Sequence, residues 1–245
     1  RSALTKGKRM YIVQRVGDVG THGKPDLTQL LASSVLCSDL VVFISDWARD
    51  FMTNVVLNND KRPEKQWLVV RNASVKEFYR YRRVPVIPKS ISFVTHHWSQ
   101  NPLKGFEFYS QLKTWASENN HKFTYIGRGP TGFETSGIMN ESQLSEELPR
   151  HHVYVTNSIL EAGGNHVMEA IAAGLPVIYS KNGGGLVEYC APFGAHFDGS
   201  IQSFENAVQQ LQLDIPRVKQ SILGFKLTAD DVGDQFVRLV ESLVK

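Results

Sequence analysis

Residues 161–180, EAGGNHVMEAIAAGLPVIYS, decide the fold class of this chain. The apolar positions within 166–173 have helical spacing, and Gly174 followed by Pro176 marks the end of that helix. The next segment, 176–180, is a short apolar run, as expected for a strand that is covered on both faces of a parallel sheet. A helix that leads through a short loop into a buried strand is typical of an α/β protein.

The same alternation of short apolar runs and helical patterns extends along most of the sequence. The expected strands lie at 11–14, 40–45, 67–70, 90–95, 122–126, 153–156 and 176–180. The expected helices lie at 26–36, 46–56, 105–118, 141–148, 166–173, about 203–211 and 230–244. Asp26 and Asn165 stand where N-cap residues are expected. The pattern predicts an α/β fold built from doubly wound parallel sheets.

A basic segment with two prolines, 72–89, interrupts this alternation, and we call it the linker. It separates a first unit (1–87, with most of the linker) from a second unit (88–229). A C-terminal helix (230–245) follows, which can pack back on the first unit. The expected strands of the first unit number three, fewer than the roughly five of a common sheet. That unit is therefore short or incomplete, either because residues upstream are missing or because it is reduced.

Composition limits the classes of function. The chain has 245 residues, of which 42% are apolar and 21% charged, an ordinary globular composition. Its net charge of +3 is too small to predict nucleic-acid binding. No apolar run reaches the roughly 18 residues that span a bilayer. Cys37 and Cys190 lie in apolar surroundings, which are typical of buried, reduced thiols, so we expect a cytoplasmic protein.

The linker carries a cluster of five basic residues: Lys76, Arg80, Arg82, Arg83 and Lys89. We favour a solvated surface between the units as the role of this cluster. The alternative is a peripheral contact with anionic lipid, or with the phosphates of an acceptor.

Several short patterns resemble cofactor or metal motifs but lack the context that those motifs need. GRGPTG (127–132) matches a dinucleotide-binding fingerprint, yet breakers stand where its helix must begin. GDVGTHGKP (17–25) resembles a P-loop with the wrong glycine spacing and with proline in place of the magnesium-binding Ser or Thr. The histidine pairs 96–97 and 151–152 point to opposite faces of their strands, and no Asp-x-Asp sequence is present. We therefore predict neither a metal ion nor a bound cofactor.

The loop before the helix in 161–180 has the composition of a ligand site. It follows the strand that ends at Thr156, and ligands of open α/β sheets bind at the carboxyl ends of the strands. Gly163 and Gly164 allow close approach of the backbone, and the N–H groups of the helix start favour an anion. Glu161 and Glu169 can accept hydrogen bonds from sugar hydroxyls on either side. This combination suits a nucleoside diphosphate sugar.

The pattern Glu161-x7-Glu169, with the tail AIAAGLPVIYSKNGGGLVE, resembles the signature of family 4 retaining glycosyltransferases of the GT-B fold. HHWSQNPLKGFEFY (96–109) is similar to the first donor-domain loop of that family, with its Lys-Gly pair. FTYIGRGP (123–130) resembles its G-x-G-P strand end. CSDLVVFISDWARDF (37–51) and VVRNAS (69–74) resemble the end of its acceptor domain and the entry to its linker. The resemblance implies two Rossmann-like doubly wound units, the first for the acceptor and the second for the sugar donor.

The resemblance also implies a role for each matching residue. Glu169 is expected to hold the ribose hydroxyls, and Glu161 the donor sugar near its 3- and 4-hydroxyls. Lys104 is expected to neutralise the diphosphate as charge grows on the leaving group, which makes Glu161 and Lys104 the catalytic candidates. The other expected donor-site residues, several of them through their backbones, are Gly163, Gly164, Asn165, His166, Gly127 and His97.

Two departures from the family pattern affect the expected site. The family often has an arginine at the end of the first donor-domain strand, where this chain has THHW (95–98). His96, His97, Arg128 or a linker arginine are the candidates for replacing it.

On the acceptor side, RVGDVG (15–20) keeps Asp18 but has Gly17 at the position of the family histidine. Asp18 is therefore the acceptor-side candidate, with His22 as a substitute for the histidine.

The expected function is metal-independent, retaining transfer of a sugar from a nucleoside diphosphate sugar to a hydroxyl of a saccharide or lipid-linked acceptor. Three alternatives stay open. The first is another GT-B nucleotide-sugar enzyme, such as an epimerase or a phosphorylase. The second is an inactive nucleotide-sugar-binding subunit, suggested by the short first unit. The third, less favoured, is an NAD-dependent oxidoreductase that uses the GRGPTG sequence.

Overall fold

The computed structural model describes residues 10–58 and 67–244, which form two α/β units, each around its own parallel sheet. The predicted segments 1–87 and 230–245 therefore include residues that lie outside the described ones. Within the described ranges, no helix combines the length and the apolar character needed to cross a membrane.

The first unit has a three-stranded sheet in the order β1-β2-β3. Its strands are β1 (Val13–Val16), β2 (Leu40–Phe43) and β3 (Trp67–Val69), and its helices are α1 (Pro25–Cys37) and α2 (Asp46–Phe51), the latter extended by a π-helical turn, Met52–Val56. Both strand pairings are parallel. Asp26 is not the N-cap of α1, because the helix already begins at Pro25, whose fixed φ suits the first helical position.

The second unit has a five-stranded parallel sheet in the order β5-β4-β6-β7-β8. Its strands are β4 (Ser92–His97), β5 (Lys122–Gly127), β6 (Val153–Thr156), β7 (Val177–Ser180) and β8 (Gly194–Phe197). Its helices are α3 (Phe106–Glu118), α4 (Glu141–Glu147), α5 (Asn165–Ala172), α6 (Leu186–Cys190) and α7 (Ile201–Gly224). The order places β6 at the centre and β4 between it and the edge strand β5, so the chain winds outward from β4 on both sides. The predicted parallel, doubly wound α/β architecture is confirmed.

Three elements at the end of this unit differ from the prediction. The strand β8 and the short helix α6 were not predicted, because the strand sequence, GAHF, is neither continuously apolar nor rich in β-branched residues. Helix α7 continues far beyond 211 and passes through Pro216. An internal proline costs a hydrogen bond and strains the helix, and the burial of Val218 and Ile222 on the far side of it offsets that cost.

The last helix, α8 (Ala229–Val244), packs on the first unit although it follows the second. Its apolar face covers the side of the first sheet opposite the main core of that unit. The residues of this contact are Val232, Phe236, Leu239 and Leu243 of α8, with Leu40, Val42 and Val70 of the sheet. The chain therefore crosses between the units twice, at the linker and before α8.

The linker is folded against the segment that leads into α8. Lys76 forms an ion pair with Asp230 (2.6 Å), and the Arg82 guanidinium donates to the carbonyl oxygen of Phe225 (2.8 Å). These contacts tie the linker to the end of the second unit and to α8.

One of the two cysteine predictions is wrong. Cys190 is fully buried, and burial raises the pKa of its thiol. Cys37, by contrast, is exposed in the last turn of α1.

Candidate functional site

A cleft of about 420 Å³ lies between the two units, at the carboxyl ends of β1 and β4 and before α5. The first unit lines it with Arg15, Gly17 and Asn72. The residues that line it from the second unit are His97, Trp98, Ser99, Lys104, Glu161, Gly163, Asn165, His166 and Glu169. All of the predicted donor-site residues except Gly164 and Gly127 thus line one cavity.

Lys104 and Glu161 form a largely buried ion pair at the centre of this cleft. Lys104 Nζ lies 2.8 Å from Glu161 Oε1, and the two side chains are 11% and 14% exposed. Lys104 ends a 3₁₀ turn, Pro102–Lys104, that is capped by the side chain of Asn101. The other oxygen, Glu161 Oε2, is buried and has no hydrogen-bond partner among the described residues. A buried acceptor without a partner is costly, and a ligand hydroxyl can satisfy it.

Burial and charge have opposite effects on the protonation of this pair. Burial works to raise the pKa of Glu161, but His166 and the Lys104 ammonium outweigh it and lower the pKa to about 2. Burial lowers the pKa of His166 to about 3, so that its ring is neutral at neutral pH. Lys104 is therefore the cation that keeps Glu161 ionised in that range. Burial also lowers the pKa of His97.

Both units hold the loop that carries Glu161. In the second unit, Glu161 N donates to the carbonyl of Gly183 (3.1 Å), and Gly185 N donates to the carbonyl of Glu161 (2.8 Å). In the first unit, Ser45 Oγ donates to the carbonyl of Ala162 (2.6 Å), and the Ala162 side chain is buried in the core of that unit. The carboxylate therefore stands on a backbone segment fixed from two sides.

Helix α5 presents its N-terminus to the cleft. It begins at Asn165, with Gly164 as the N-cap and no side chain among the described residues that caps it. The prediction of Asn165 as the N-cap is thus wrong by one position. Its side-chain oxygen instead accepts a hydrogen bond from Asn72 Nδ2 (2.9 Å), which links the two units. The first N–H groups of the helix stay available to an anion.

Glu169 lies one turn into α5, and its carboxylate is held by His96, one of the candidates for replacing the family arginine. His96 Nε2 donates to Glu169 Oε2 across 2.7 Å. The His97 ring faces elsewhere, with Nε2 lying 3.0 Å from the hydroxyl of Tyr109. Of the two adjacent histidines, His96 therefore positions the carboxylate while His97 contributes to the wall of the cleft.

The acceptor-side candidates line a second cavity, of about 200 Å³, that shares Lys104 and Glu161 with the first. Asp18 pairs with Lys24 (2.7 Å) and accepts from Gly20 N (2.8 Å). Burial works to raise the pKa of Asp18, but Lys24 and the Gly20 N–H outweigh it and lower the pKa.

His22 lies in the same cavity and is held by the second unit. Its Nε2 donates to the carbonyl of Ile159 (2.8 Å). The structure thus places Asp18 and His22 beside the catalytic candidates and gives each of them a contact that fixes its position.

Gly127 lies outside the lining of both cavities. It has φ +107°, and a Cβ atom there would lie 2.1 Å from the carbonyl oxygen of His97. The neighbouring strands β4 and β5 thus account for this glycine. Gly164 is also excluded from the lining, but it forms the N-cap of α5.

Besides Gly17, sequence reasoning missed four residues that line the cleft: Arg15, Asn72, Trp98 and Ser99. Arg15 and Trp98 lie at the carboxyl ends of β1 and β4, and that position is a signal that could have found them. Trp98 is 48% exposed, which is unusual for a large aromatic side chain. Asn72 lies beyond β3 and carried no signal of its own.

Within residues 10–58 and 67–244, no group of three or more His, Cys, Asp or Glu residues is arranged to hold a metal ion.

A ligand cleft between two parallel α/β units, at the carboxyl ends of their strands, is the arrangement of a two-unit Rossmann-like fold. The sequence model of the family Glycosyl transferases group 1 matches residues 131–220, which include Glu161 and Glu169. That segment is therefore similar to the glycosyltransferase domain of this family. No curated protein sequence matches the chain.

Solved glycosyltransferase structures share the fold of almost the whole chain. Sucrose-phosphate synthase from Thermosynechococcus elongatus aligns over 98% of this chain and 69% of its own, with a TM-score of 0.73 and 14% identity. HepE of Anabaena, in complex with UDP and glucose, aligns over 94% and 71%, with a TM-score of 0.68 and 14% identity. The pneumococcal O-GlcNAc transferase GtfA, in complex with UDP and GlcNAc, aligns over 89% and 48%, with a TM-score of 0.63 and 15% identity. The chain thus spans about half of GtfA, and the predicted GT-B fold is confirmed.

Proposed function

We propose that this chain acts in a retaining, metal-independent glycosyltransferase of the family 4 type. It transfers a sugar from a nucleoside diphosphate sugar to a hydroxyl group of a saccharide or a lipid-linked acceptor. The observation that carries this proposal is the unpartnered Oε2 of Glu161, buried in a cleft that also holds Lys104, Glu169 and the N-terminus of α5.

Each part of the donor has a chemical counterpart in the cleft. Glu161 Oε2 accepts a hydrogen bond from a hydroxyl of the donor sugar. The free N–H groups of Asn165 and His166 bind the diphosphate, aided by the helix dipole. Glu169 accepts hydrogen bonds from the ribose hydroxyls. The order of these groups along 161–169 follows the order of sugar, diphosphate and ribose along the donor.

The protonation of Glu161 favours a binding role over a role as a base. A general base works best with a pKa near the operating pH, whereas the pKa of Glu161 is about 2. The carboxylate is also paired with Lys104, which weakens it as a nucleophile.

We therefore propose that the departing diphosphate, and not a side chain, accepts the proton of the acceptor hydroxyl. The bond from the anomeric carbon to the diphosphate breaks, and the acceptor oxygen bonds to that carbon on the same face. The proton of the acceptor hydroxyl passes to the phosphate oxygen that leaves.

Lys104 and the start of α5 supply the positive potential that the leaving group needs. This is the basis for proposing a reaction that requires no metal ion. The HepE and GtfA structures, each in complex with UDP and a sugar, support a nucleoside diphosphate sugar as the donor. The pairing of Lys76 with Asp230 supports a surface between units rather than a membrane contact for the linker.

Calorimetric titration with UDP, GDP, ADP and NAD tests the class of ligand. We expect one nucleoside diphosphate to bind and NAD not to bind. Binding of NAD alone would contradict the proposal and favour the oxidoreductase alternative.

A second experiment separates an enzyme from an inactive subunit. With the nucleotide identified, hydrolysis of, or transfer from, the matching nucleotide sugars is measured for the wild type and for Glu161→Ala. We expect activity in the wild type and its loss in the variant. Nucleotide binding without turnover of any such donor would support the inactive-subunit alternative.

A further inference from the structure

The cation that the second unit contributes to the cleft, Lys104, is already paired with a carboxylate. Lys104 and Glu161 neutralise each other at 2.8 Å, so the pair has no net charge. The histidines add little, because burial lowers the pKa of both His97 and His166. Each phosphate of a nucleoside diphosphate carries a negative charge. In the second unit, only the backbone N–H groups of α5 remain to offset most of that charge.

Arg15 is a cation of the same cleft that comes from the first unit. It lies at the carboxyl end of β1, is exposed, and lines the cavity together with Lys104 and Asn165. Its guanidinium donates to the side-chain oxygen of Asn72, which is neutral. No carboxylate lies within ion-pair distance of it in the part of the chain that the structure describes, so its charge is free for an anion.

The position of the guanidinium is fixed by its neighbours. A Cβ atom on Gly17 would lie 3.0 Å from Arg15 Nη1, so the guanidinium lies over this glycine, which lines both cavities. On its other side, Asn72 connects Arg15 to Asn165, the first residue of α5, through a 2.9 Å hydrogen bond. Arg15 is therefore tied to the helix end that presents N–H groups to an anion.

We propose that Arg15 binds the diphosphate of the donor and completes its charge neutralisation from the first unit. This proposal rests on the proposed function. A guanidinium binds phosphate through paired N–H groups. The donor unit thus supplies Lys104 and the start of α5, and the other unit supplies the second cation. Full stabilisation of the leaving group therefore requires that both units face the donor.

Comparison of nucleoside diphosphates with nucleosides tests this role. The probes are UDP, GDP and ADP, each beside its nucleoside, titrated in a calorimeter into the wild type and into Arg15→Gln. We expect about a 10- to 100-fold loss of diphosphate affinity, typical of hydrogen bonds to charged groups, with nucleoside affinity unchanged. Arg15→Lys keeps the positive charge but not the paired N–H groups of the guanidinium. Its loss of diphosphate affinity is expected to be smaller than that of Arg15→Gln.

Arg238→Gln is the matched control. Arg238 is an exposed arginine of α8 and lies outside the lining of the cleft. Removing its charge is expected to leave both affinities unchanged. Asn72→Ala keeps Arg15 but removes the side chain that holds its guanidinium. This variant is expected to lose diphosphate affinity but not nucleoside affinity, and to lose less than Arg15→Gln.

The contradicting outcomes separate the two proposals. If the wild type binds a nucleoside diphosphate and Arg15→Gln binds it equally well, the role of Arg15 is wrong and the proposed function stands. An equal loss for diphosphate and nucleoside also overturns it, because Arg15 then acts by shaping the site. If the wild type binds none of the nucleotides, the proposed function itself fails.

Discussion

His96 Nε2 lies 2.7 Å from Glu169 Oε2, although 73 positions separate the two residues in the chain. The histidine is 1% exposed, and its ring packs at 70° against that of Tyr154, with ring centroids 5.5 Å apart. Its Nδ1 atom is buried and unpaired among the described residues. A side chain held this firmly fixes the direction of the Glu169 carboxylate. We therefore treat His96 as a positioning residue for the proposed ribose contact.

Replacing His96 with leucine is expected to weaken nucleoside and nucleoside diphosphate binding equally, by roughly 3- to 10-fold, because one hydrogen bond to the carboxylate is lost. Titration calorimetry with both ligands measures this. Rescue by His96→Gln, whose amide can still donate, is the control for positioning. A loss confined to the diphosphate would contradict the assignment.

Replacing Glu169 with alanine is expected to have a larger effect, about 10- to 100-fold on both ligands, because a charged acceptor is removed from the ribose. Affinity for the 2′-deoxynucleoside, compared with that for the nucleoside, provides the check. The wild type is expected to bind the 2′-deoxynucleoside more weakly than the nucleoside, and this difference is expected to be smaller in the variant. If nucleoside affinity does not change in this variant, Glu169 does not contact the ribose.

Replacing Lys104 with methionine leaves the Glu161 carboxylate buried without its cation. Breaking a buried pair in this way is expected to lower the free energy of unfolding by about 3–5 kcal/mol. Urea unfolding measures it. The double variant Lys104→Met/Glu161→Gln is expected to regain most of the stability but no activity. A single variant as stable as the wild type would show that Lys104 does not offset the buried charge.

The buried histidine His166 predicts a dependence of stability on pH. Its pKa in the folded chain, about 3, lies below the ordinary 6.5, so the unfolded chain binds a proton that the folded chain excludes. Stability is therefore full above pH 6.5 and falls as the pH is lowered toward 3. Between pH 6.5 and 4, the loss from this residue is on the order of 3 kcal/mol.

Unfolding of the wild type and of His166→Gln at pH 7, 5.5 and 4 measures this loss. The variant is expected to lose less stability over that range. Glu161 affects stability at lower pH than His166 does. Because its pKa is lowered in the folded chain, its contribution to stability is lost as the pH falls from about 4.5 toward 2. Parallel curves for the two proteins down to pH 4 would mean that His166 titrates normally.

The sequence predicted the parts of this site whose signal is local. The spacing of Glu161 and Glu169 around a glycine loop follows from a strand end and a helix start. Lys104 was expected from the resemblance of 96–109 to a loop of the family. The contact of His96 with Glu169, and the link of Arg15 to Asn165 through Asn72, could not be assigned in this way. The first joins the end of β4 to α5, and the second depends on how the units face each other. No local pattern records either relationship.

The fold shows the same division. Strand β6 was predicted to the residue, because VYVT is a continuous apolar run between clear breakers. Strand β8 was missed, because GAHF becomes a strand through its neighbour. Gly194 pairs with Val177, and a Cβ atom at that glycine would lie 1.6 Å from the Val177 carbonyl oxygen. The sequence predicts only a helix near 203–211, whereas α7 continues to Gly224, because the packing of Val218 and Ile222 outweighs the local effect of Pro216.

Ala162 follows Glu161 directly, yet its side chain belongs to the core of the first unit. The peptide that presents the carboxylate to a ligand is therefore also a structural part of the opposite unit. Melting of either unit must disturb that peptide, so the two units cannot lose their structure independently. We expect one cooperative calorimetric transition for the whole chain, displaced upward as a single peak when a nucleotide binds. A nucleotide bound in the cleft therefore stabilises both units, because both depend on this one backbone segment.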